Sequence, residues 1–369
     1  METTNKTFVP VAAIHPTELI KDEMRERGLK RRELAARMGI KLPNLSRLLN
    51  KKESITPQTA IRLENALGID ADMWLSLQAA YDKDLVAIAD RDNQEKEATS
   101  IENVLAGVQN IKLLFKRLGL DSYTFAKDRI KALYKTFNVS NIDEIISLAA
   151  PTGRFKKSEK LATDDKNLNT WVLLAHRECL VNNVLTTYND GCAVLAANEI
   201  AKLANSGSVT EEAIKDVLYC HGIGYSWVAK IEKAPIDAYS TKINGTPYII
   251  TSHRHNNMDM LVFDVLHELK HIHTDLHDGE SNLSFNSESN KLDEKEIEAN
   301  KFAEDMLIPP LIWSKIIKAQ SKSLNPYHVF NKVIEEATKH GISASIASWR
   351  YRHETKIYAR KGYCSAKIR

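Results

Sequence analysis

Apolar residues recur at helical spacing from early in the chain. Between residues 31 and 50 (RRELAARMGIKLPNLSRLLN), Leu34, Ala35 and Met38 form one stripe, and Leu45, Leu48 and Leu49 form a second. Gly39-Ile40 lies between them, a conformationally permissive residue followed by a core anchor. Two short helices joined this way bury their stripes against each other and present the second helix to solvent, the helix-turn-helix arrangement. The punctuation around them agrees. Pro16 suits a first helical position, Gly28, Gly39 and Gly68 suit helix ends, and Thr56-Pro57 opens a further helix.

Residues 82–100 carry many charges and few apolar anchors, so their latter part reads as a linker or an exposed helix end. Leu105, Val108, Ile111, Leu114 and Leu118 then return to helical spacing, and further helical runs cover 171–180 and 193–203. Residues 153–166 are basic and polar and read as a loop. This middle stretch shows no catalytic signature and no internal repeat. From Ser206 the pattern changes. A helix over 210–219 precedes three strand-like runs, 224–231, 238–242 and 247–251, with Asn244-Gly245-Thr246 turning between the last two. Helices resume from Met258. The pattern predicts a mainly α chain in three parts: an all-α helix-turn-helix domain over 1–95, a helical connecting region over 96–205, and an α+β domain with a small sheet over 206–369.

Composition alters this picture little. A chain of 369 residues, 43% hydrophobic and 27% charged, is long enough for two or three domains with sizeable cores. A net charge of +3 does not by itself indicate a nucleic-acid binder, so a DNA-binding face must come from local clustering. Such a cluster exists. From Lys30 to Lys52 the basic residues are Lys30, Arg31, Arg32, Arg37, Lys41, Arg47, Lys51 and Lys52, against Glu33 alone among acids. It can release counterions from phosphates, while Asn44 and Ser46 carry groups suited to base edges. The candidate DNA-contacting set is Arg31, Arg32, Lys41, Pro43, Asn44, Ser46, Arg47, Lys51 and Lys52. The alternative is a helical hairpin with a solvated charged face. The four cysteines (179, 192, 220 and 364) form no CxxC pair, which suits a reducing cytosol. No apolar run approaches the ~20 residues of a membrane helix, and METTNKTFVP lacks a signal-peptide pattern. A cytoplasmic protein without membrane partners is expected.

The N-terminal motif resembles a known family. The opening His15-Pro16, the ELAxxxGI turn, the LSRLLN second helix, Ser54-Ile55-Thr56-Pro57 and the Trp74-Leu75-x-Leu77-Gln78 ending look like a HigA-type antitoxin of the XRE/Cro repressor class, over about the first 82 residues. Arg31 stands where that family usually has Gln. The resemblance implies a homodimer bound to a palindromic operator in double-stranded DNA.

A second constellation is His267-Glu268-Leu269-Lys270-His271. On a helix, the two histidines lie one turn apart on one face and can reach one metal ion, with Glu268 beside them as a general base. Two residues offer themselves as third ligand. His277 lies six residues after His271, but Thr274 replaces the glycine that a metzincin turn requires. Glu298 lies in EKEIEANKFAEDMLIP (294–309), where Ala299, Phe302, Ala303 and Met306 make a core stripe that puts Glu298 on a neighbouring face. A second helix carrying Glu298 beside the first gives the gluzincin arrangement.

FDVLHELKHIH followed by EKEIEANKFAEDMLIP resembles the ImmA/IrrE metallopeptidases, over roughly residues 215–352. That resemblance implies a zincin-like fold, Zn²⁺ held by His267, His271 and Glu298, Glu268 as general base, and a transcriptional repressor as protein substrate. Lys270 departs from the glycine often found there. His253, Tyr248 and Arg350 are oxyanion-donor candidates by residue type alone. The combined expectation is a DNA-binding regulator or antitoxin with a zinc-dependent endopeptidase domain that cleaves a repressor or partner protein. The alternative is an antitoxin-repressor whose zincin domain does not cleave and instead binds a cognate toxin or senses a ligand. The basic tail 356–369 reads as a final hairpin or frayed end, the five tryptophans as core, and the cysteines as small buried hydrophobes.

Overall fold

The structure is a computed structural model that describes residues 9–149, 163–277, 280–284, 294–318, 326–356 and 367–368. The chain divides into two compact units, residues 1–100 with 125–127, and residues 101–124 with 128–369.

The first unit holds α1 (Thr17–Glu26), α2 (Arg31–Arg37), α3 (Leu42–Leu49), α4 (Pro57–Leu67) and most of α5 (Ala71–Val108). His15 organises the entry to α1: its Nδ1 lies 2.8 Å from Thr17 Oγ1 and accepts the Thr17 N–H at 3.2 Å. Pro16 therefore takes the cap position, one residue before the expected first helical position. Gly28, Gly39 and Gly68 have φ of +63°, +61° and +70°, the left-handed conformation their helix ends require. Thr56 Oγ1 accepts the Thr59 N–H at the head of α4, with Pro57 behind it. The expected stripes meet as one core, where Ile20, Leu34, Leu45, Leu63 and Trp74 are fully buried.

The charged stretch, whose latter part is expected as a linker or an exposed helix end, is helical throughout, as part of α5. Glu, Lys, Gln, Asp and Ala keep a helix going without apolar anchors, because most of them lose little on adopting helical geometry. Low hydrophobicity there marks exposure of the helix and not its end.

The second unit contains α6 (Ile111–Leu118), most of α7 (Ala126–Phe137), α8 (Ile142–Ala149), α9 (Asp165–Val181), α10 (Cys192–Ser206) and α11 (Glu211–Cys220). These are followed by β1 (Gly224–Trp227), β2 (Ala238–Ile243), β3 (Thr246–Thr251), α12 (Met258–Thr274), β4 (Ser281–Ser284), α13 (Glu294–Leu307), α14 (Pro310–Lys318), α15 (Pro326–Lys339) and α16 (Ala344–Thr355). The helical run from Leu105 to Leu118 is broken at Asn110, whose side chain caps α6 by accepting the Leu113 N–H. Of the loop expected over 153–166, residues through 162 lie outside the described ones, and Asp164 already caps α9. Most of the basic tail also lies outside them.

The sheet has strand order β1-β3-β2-β4, with β1 parallel to β3 and the other pairs antiparallel. Asn244 (φ +50°) and Gly245 (φ +80°) form a two-residue hairpin loop, and Ile243 pairs with Thr246. Positive φ at both positions is the primed turn that matches strand twist. The first strand ends at Trp227, sooner than expected, and Ile231 makes only an isolated bridge to Ala234.

The boundary expected at 205/206 is not a division of the fold. Ala193, Ala196, Ala197, Ile200 and Ala204 of α10 lie in one core with Val262, Val265 and Leu269 of α12 and Ala303 and Leu307 of α13. The alanine face of α10 explains this, since small side chains let α12 approach closely. Cys179 is buried as expected, whereas Cys192 is partly exposed and Cys220 exposed. Trp227 is not core either: at 51% exposure it stacks on His253, ring centroids 4.9 Å apart. No helix among the described residues is long and apolar enough to cross a membrane.

Candidate functional sites

In the first unit, α3 buries Leu45, Leu48 and Leu49 and leaves Leu42, Pro43, Asn44 and Arg47 exposed. The core stripe thus fixes which face of this helix is free. Of the basic set, Arg31, Arg32, Lys41, Lys51 and Lys52 are also exposed, and Ser46 is partly so. Two of the expected contacts are engaged within the unit. Arg47 pairs with Glu53 (2.9 Å) and Lys51 with Glu18 (2.9 Å). These are surface pairs of small energy, which phosphate contacts would replace. Between the start of α2 and α3 lies a cleft of about 590 Å³ lined by Lys30, Arg31, Arg32, Glu33, Leu42 and Ser46. Glu33 accepts the Lys30 N–H at 2.9 Å, so its carboxylate serves as a helix cap there.

In the second unit, Asn257 opens α12 by accepting the Asp259 and Met260 N–H groups. The helix then carries His267 and His271 one turn apart, both buried, with their Nε2 atoms 3.1 Å apart. The third group beside them is Glu296 of α13. Its carboxylate oxygens lie 3.3 Å from His267 Nε2 and 3.3 Å from His271 Nε2. These three residues are the described group whose ligand atoms converge closely enough for one metal ion.

Glu298, expected as third ligand, lies outside the cluster. Its side chain is 68% exposed and sits 3.4 Å from Lys270. The reason is helical phase. Ala299, Ala303 and Leu307 are the buried row of α13, and Glu296, one turn before Ala299 and Asn300, shares that face. Glu298, two residues on from Glu296, is rotated away by roughly 200°. The buried row was the signal in the sequence that would have selected Glu296. His277 is exposed and stands apart as well, with its N–H on Glu280. Lys270 points away from the histidines toward Glu298 and Thr274 Oγ1 (3.0 Å), so it adds no cation to the centre.

A further layer was not foreseen. His267 Nδ1 lies 3.0 Å from Asn300 Oδ1, and His271 Nδ1 lies 2.9 Å from Asp275 Oδ2. With both Nδ1–H groups donating outward, both Nε2 lone pairs face each other and the Glu296 carboxylate. Three electron-pair donors at about 3 Å require a positive charge between them. The acid–base balance agrees. Burial works against protonating His271, yet its contacts with Glu296, Glu268 and Asp275 push its pKa up to about 9. Burial raises the Glu296 pKa, but the two imidazoles outweigh it and hold it well below the usual carboxylate range. A dication bound by two imidazoles and a carboxylate fits this donor set.

Glu268 is fully buried. Ser240 of β2 donates a hydrogen bond to its Oε2, while Oε1 has no partner. A buried carboxylate with one unpaired oxygen, next to a cluster that calls for a cation, is suited to taking a proton. The oxyanion candidates are occupied elsewhere. Arg350 donates to the Glu304 and Ile308 carbonyls, His253 pairs with Glu211 at 2.9 Å, and the Tyr248 ring lies where a Cβ on Gly224 would fall.

Comparison with known proteins bears on the first unit. A helix-turn-helix family profile matches residues 20–74. The chain is 34% identical over 83 residues to virulence-associated protein I of Dichelobacter nodosus, a match covering 22% of this chain and 74% of that protein. It is 38% identical over 66 residues to the uncharacterised HTH-type transcriptional regulator YddM of Escherichia coli (strain K12), covering 18% of this chain and 70% of the relative. Among solved structures, an addiction module antidote protein of the HigA family from Coxiella burnetii is similar at 32% identity. That match covers 24% of this chain and 96% of the other, with a TM-score of 0.22.

Proposed function

Because the chain belongs, through residues 20–74, to the helix-turn-helix family, we propose that it is a DNA-binding regulator of antitoxin type. Its second unit is a zinc-dependent endopeptidase acting on a repressor or partner protein. The DNA-binding part rests on the exposed outer face of α3 with Arg31, Arg32, Lys41 and Lys52 beside it. Phosphates pair with these cations while the first turn of α3 meets base edges in the major groove.

The peptidase part rests on one observation, the convergence of His267, His271 and Glu296 close to the buried Glu268, whose Oε1 has no partner. The two imidazoles and the Glu296 carboxylate would hold zinc, with Asn300 and Asp275 fixing the imidazole tautomers. Zinc, when bound, supplies Lewis acidity toward a peptide carbonyl and toward water. Ser240 holds Oε2 of Glu268, which leaves Oε1 to take a proton from the attacking water and return it to the leaving amine.

Metal content of the purified full chain tests this. Wild type should carry about one zinc per chain. His267→Ala and Glu296→Ala should lose it, and Glu298→Ala should keep it. Glu268→Gln should retain zinc and DNA binding but lose cleavage of the partner. If Glu268→Gln behaves as wild type in every assay, the second unit works by binding its partner and not by hydrolysis. If wild type takes up no zinc when it is supplied, the cluster is a protonated His–Glu network and the peptidase reading is wrong.

A further inference from the structure

The apolar tip of α3 carries information that the basic residues do not. Leu42 and Pro43 occupy the first turn of this helix, and both are exposed. Leu42 is 39% exposed even though it lies one turn before the fully buried Leu45. It forms the apolar wall of the cleft whose other walls are Lys30, Arg31, Arg32, Glu33 and Ser46. Leu42 is not part of the core of this unit, so its side chain is available to a ligand that enters the cleft.

The electrostatics narrow the choice of ligand further. The long cation on this helix, Arg47, is held at 2.9 Å by Glu53. Opening that weak surface pair frees Arg47 for a phosphate or a guanine. What α3 offers a base edge without rearrangement is Leu42, Pro43, Asn44 and Ser46. In the major groove, the apolar feature of a base pair is the 5-methyl group of thymine. Residues at the start of a recognition helix are those that reach base edges, and Arg31 and Arg32 on the opposite wall suit the flanking phosphates.

We propose that Leu42 is a specificity-determining residue that recognises a thymine methyl group in the DNA site. This rests on the proposal that α3 enters the major groove, and it adds which base is read and by what contact. The methyl group fills the cleft beside Leu42 and displaces water from both apolar surfaces. Burying one such carbon is worth about a fourfold change in affinity per contact.

The test uses the full-length chain and a duplex that it selects from a randomised library. Each thymine of that duplex is replaced in turn by uracil, which removes the methyl group and leaves Watson–Crick pairing unchanged. Affinities are measured at fixed salt for wild type and for Leu42→Ala, with a thermal melt of each. Leu42 is exposed, so the variant should melt as wild type does. The expected result is at least one thymine whose replacement weakens wild-type binding about fourfold, while Leu42→Ala binds the thymine and uracil duplexes equally. The inference is overturned if no uracil substitution matters, or if Leu42→Ala keeps the same preference for thymine. Failure to enrich any duplex would overturn the DNA-binding proposal and this one with it. Enrichment without a methyl effect would overturn this one alone.

Discussion

Single residues in this chain often do something other than their type implies. His176 on α9 is a case where the environment sets the behaviour: burial lowers its pKa from 6.5 to about 4. Well above pH 6.5 it is neutral whether the chain is folded or not. Between pH 6.5 and about 4 the unfolded chain takes up a proton that the folded chain refuses. Stability should therefore fall as pH drops through that window, by up to about 1.4 kcal/mol per pH unit. His176→Gln should flatten that part of the stability–pH curve, as read from denaturant midpoints at pH 4.5, 5.5 and 7. An unchanged slope would show that His176 reaches solvent. Gly222 is a second case. It has φ +75°, and a Cβ there would lie 2.5 Å from the Tyr188 backbone nitrogen. The loop before α10 packs directly on it, so any side chain at this position displaces backbone.

Elements in the second unit are joined by buried polar groups as well as by apolar faces. Arg350 of α16 donates at 2.9 and 2.8 Å to the Glu304 and Ile308 carbonyls. The Glu304 carbonyl also accepts the Ile308 N–H at 3.0 Å, and Ile308 follows the last residue of α13, so the guanidinium covers the C-terminal end of that helix. The guanidinium also bonds Glu354 at 3.0 Å and lies 4.9 Å over the Trp313 ring. Arg350→Met keeps much of the packing but removes the guanidinium donor from the buried Ile308 carbonyl and its ion pair with Glu354. It should destabilise the second unit by about 2–4 kcal/mol, which a melt would detect. Because α13 also carries Glu296 and Asn300, zinc affinity should fall in the same variant.

For the molecule as a whole, one consequence lies in two of the cores among its described residues. The core around Leu34, Leu45, Leu63 and Trp74 and the core around α10, α12 and α13 share no residue. Calorimetry should resolve two transitions. Leu34→Ala, by opening a cavity, should lower the stability of the first by about 2–5 kcal/mol and leave the other in place. Added zinc should raise only the transition of the second unit, because ligand binding stabilises the unit that holds the site. A single transition that moves with either perturbation would show that the units unfold together.

The local features were legible in the sequence because local rules decide them. Helical spacing found α2 and α3, glycines marked the ends of α1, α2 and α4, Asn244-Gly245 marked the hairpin, and the one-turn spacing of His267 and His271 placed both on one face of α12. The existence of a second carboxylate-bearing helix was legible as well. Which carboxylate it offers was settled by the phase of α13 against α12, set by burial of Ala299, Ala303 and Leu307. That phase chose Glu296 over Glu298, and it sent Lys270 to Glu298 and away from the histidines. Asn300, Asp275 and Ser240 acquire roles only by touching residues distant in the chain or a turn away on a neighbouring face. The helical state of residues 82–100 and the merging of α10 into the second core were hidden for a related reason. Polarity reports exposure, whereas helix continuity and domain limits depend on backbone bonding and on what packs alongside.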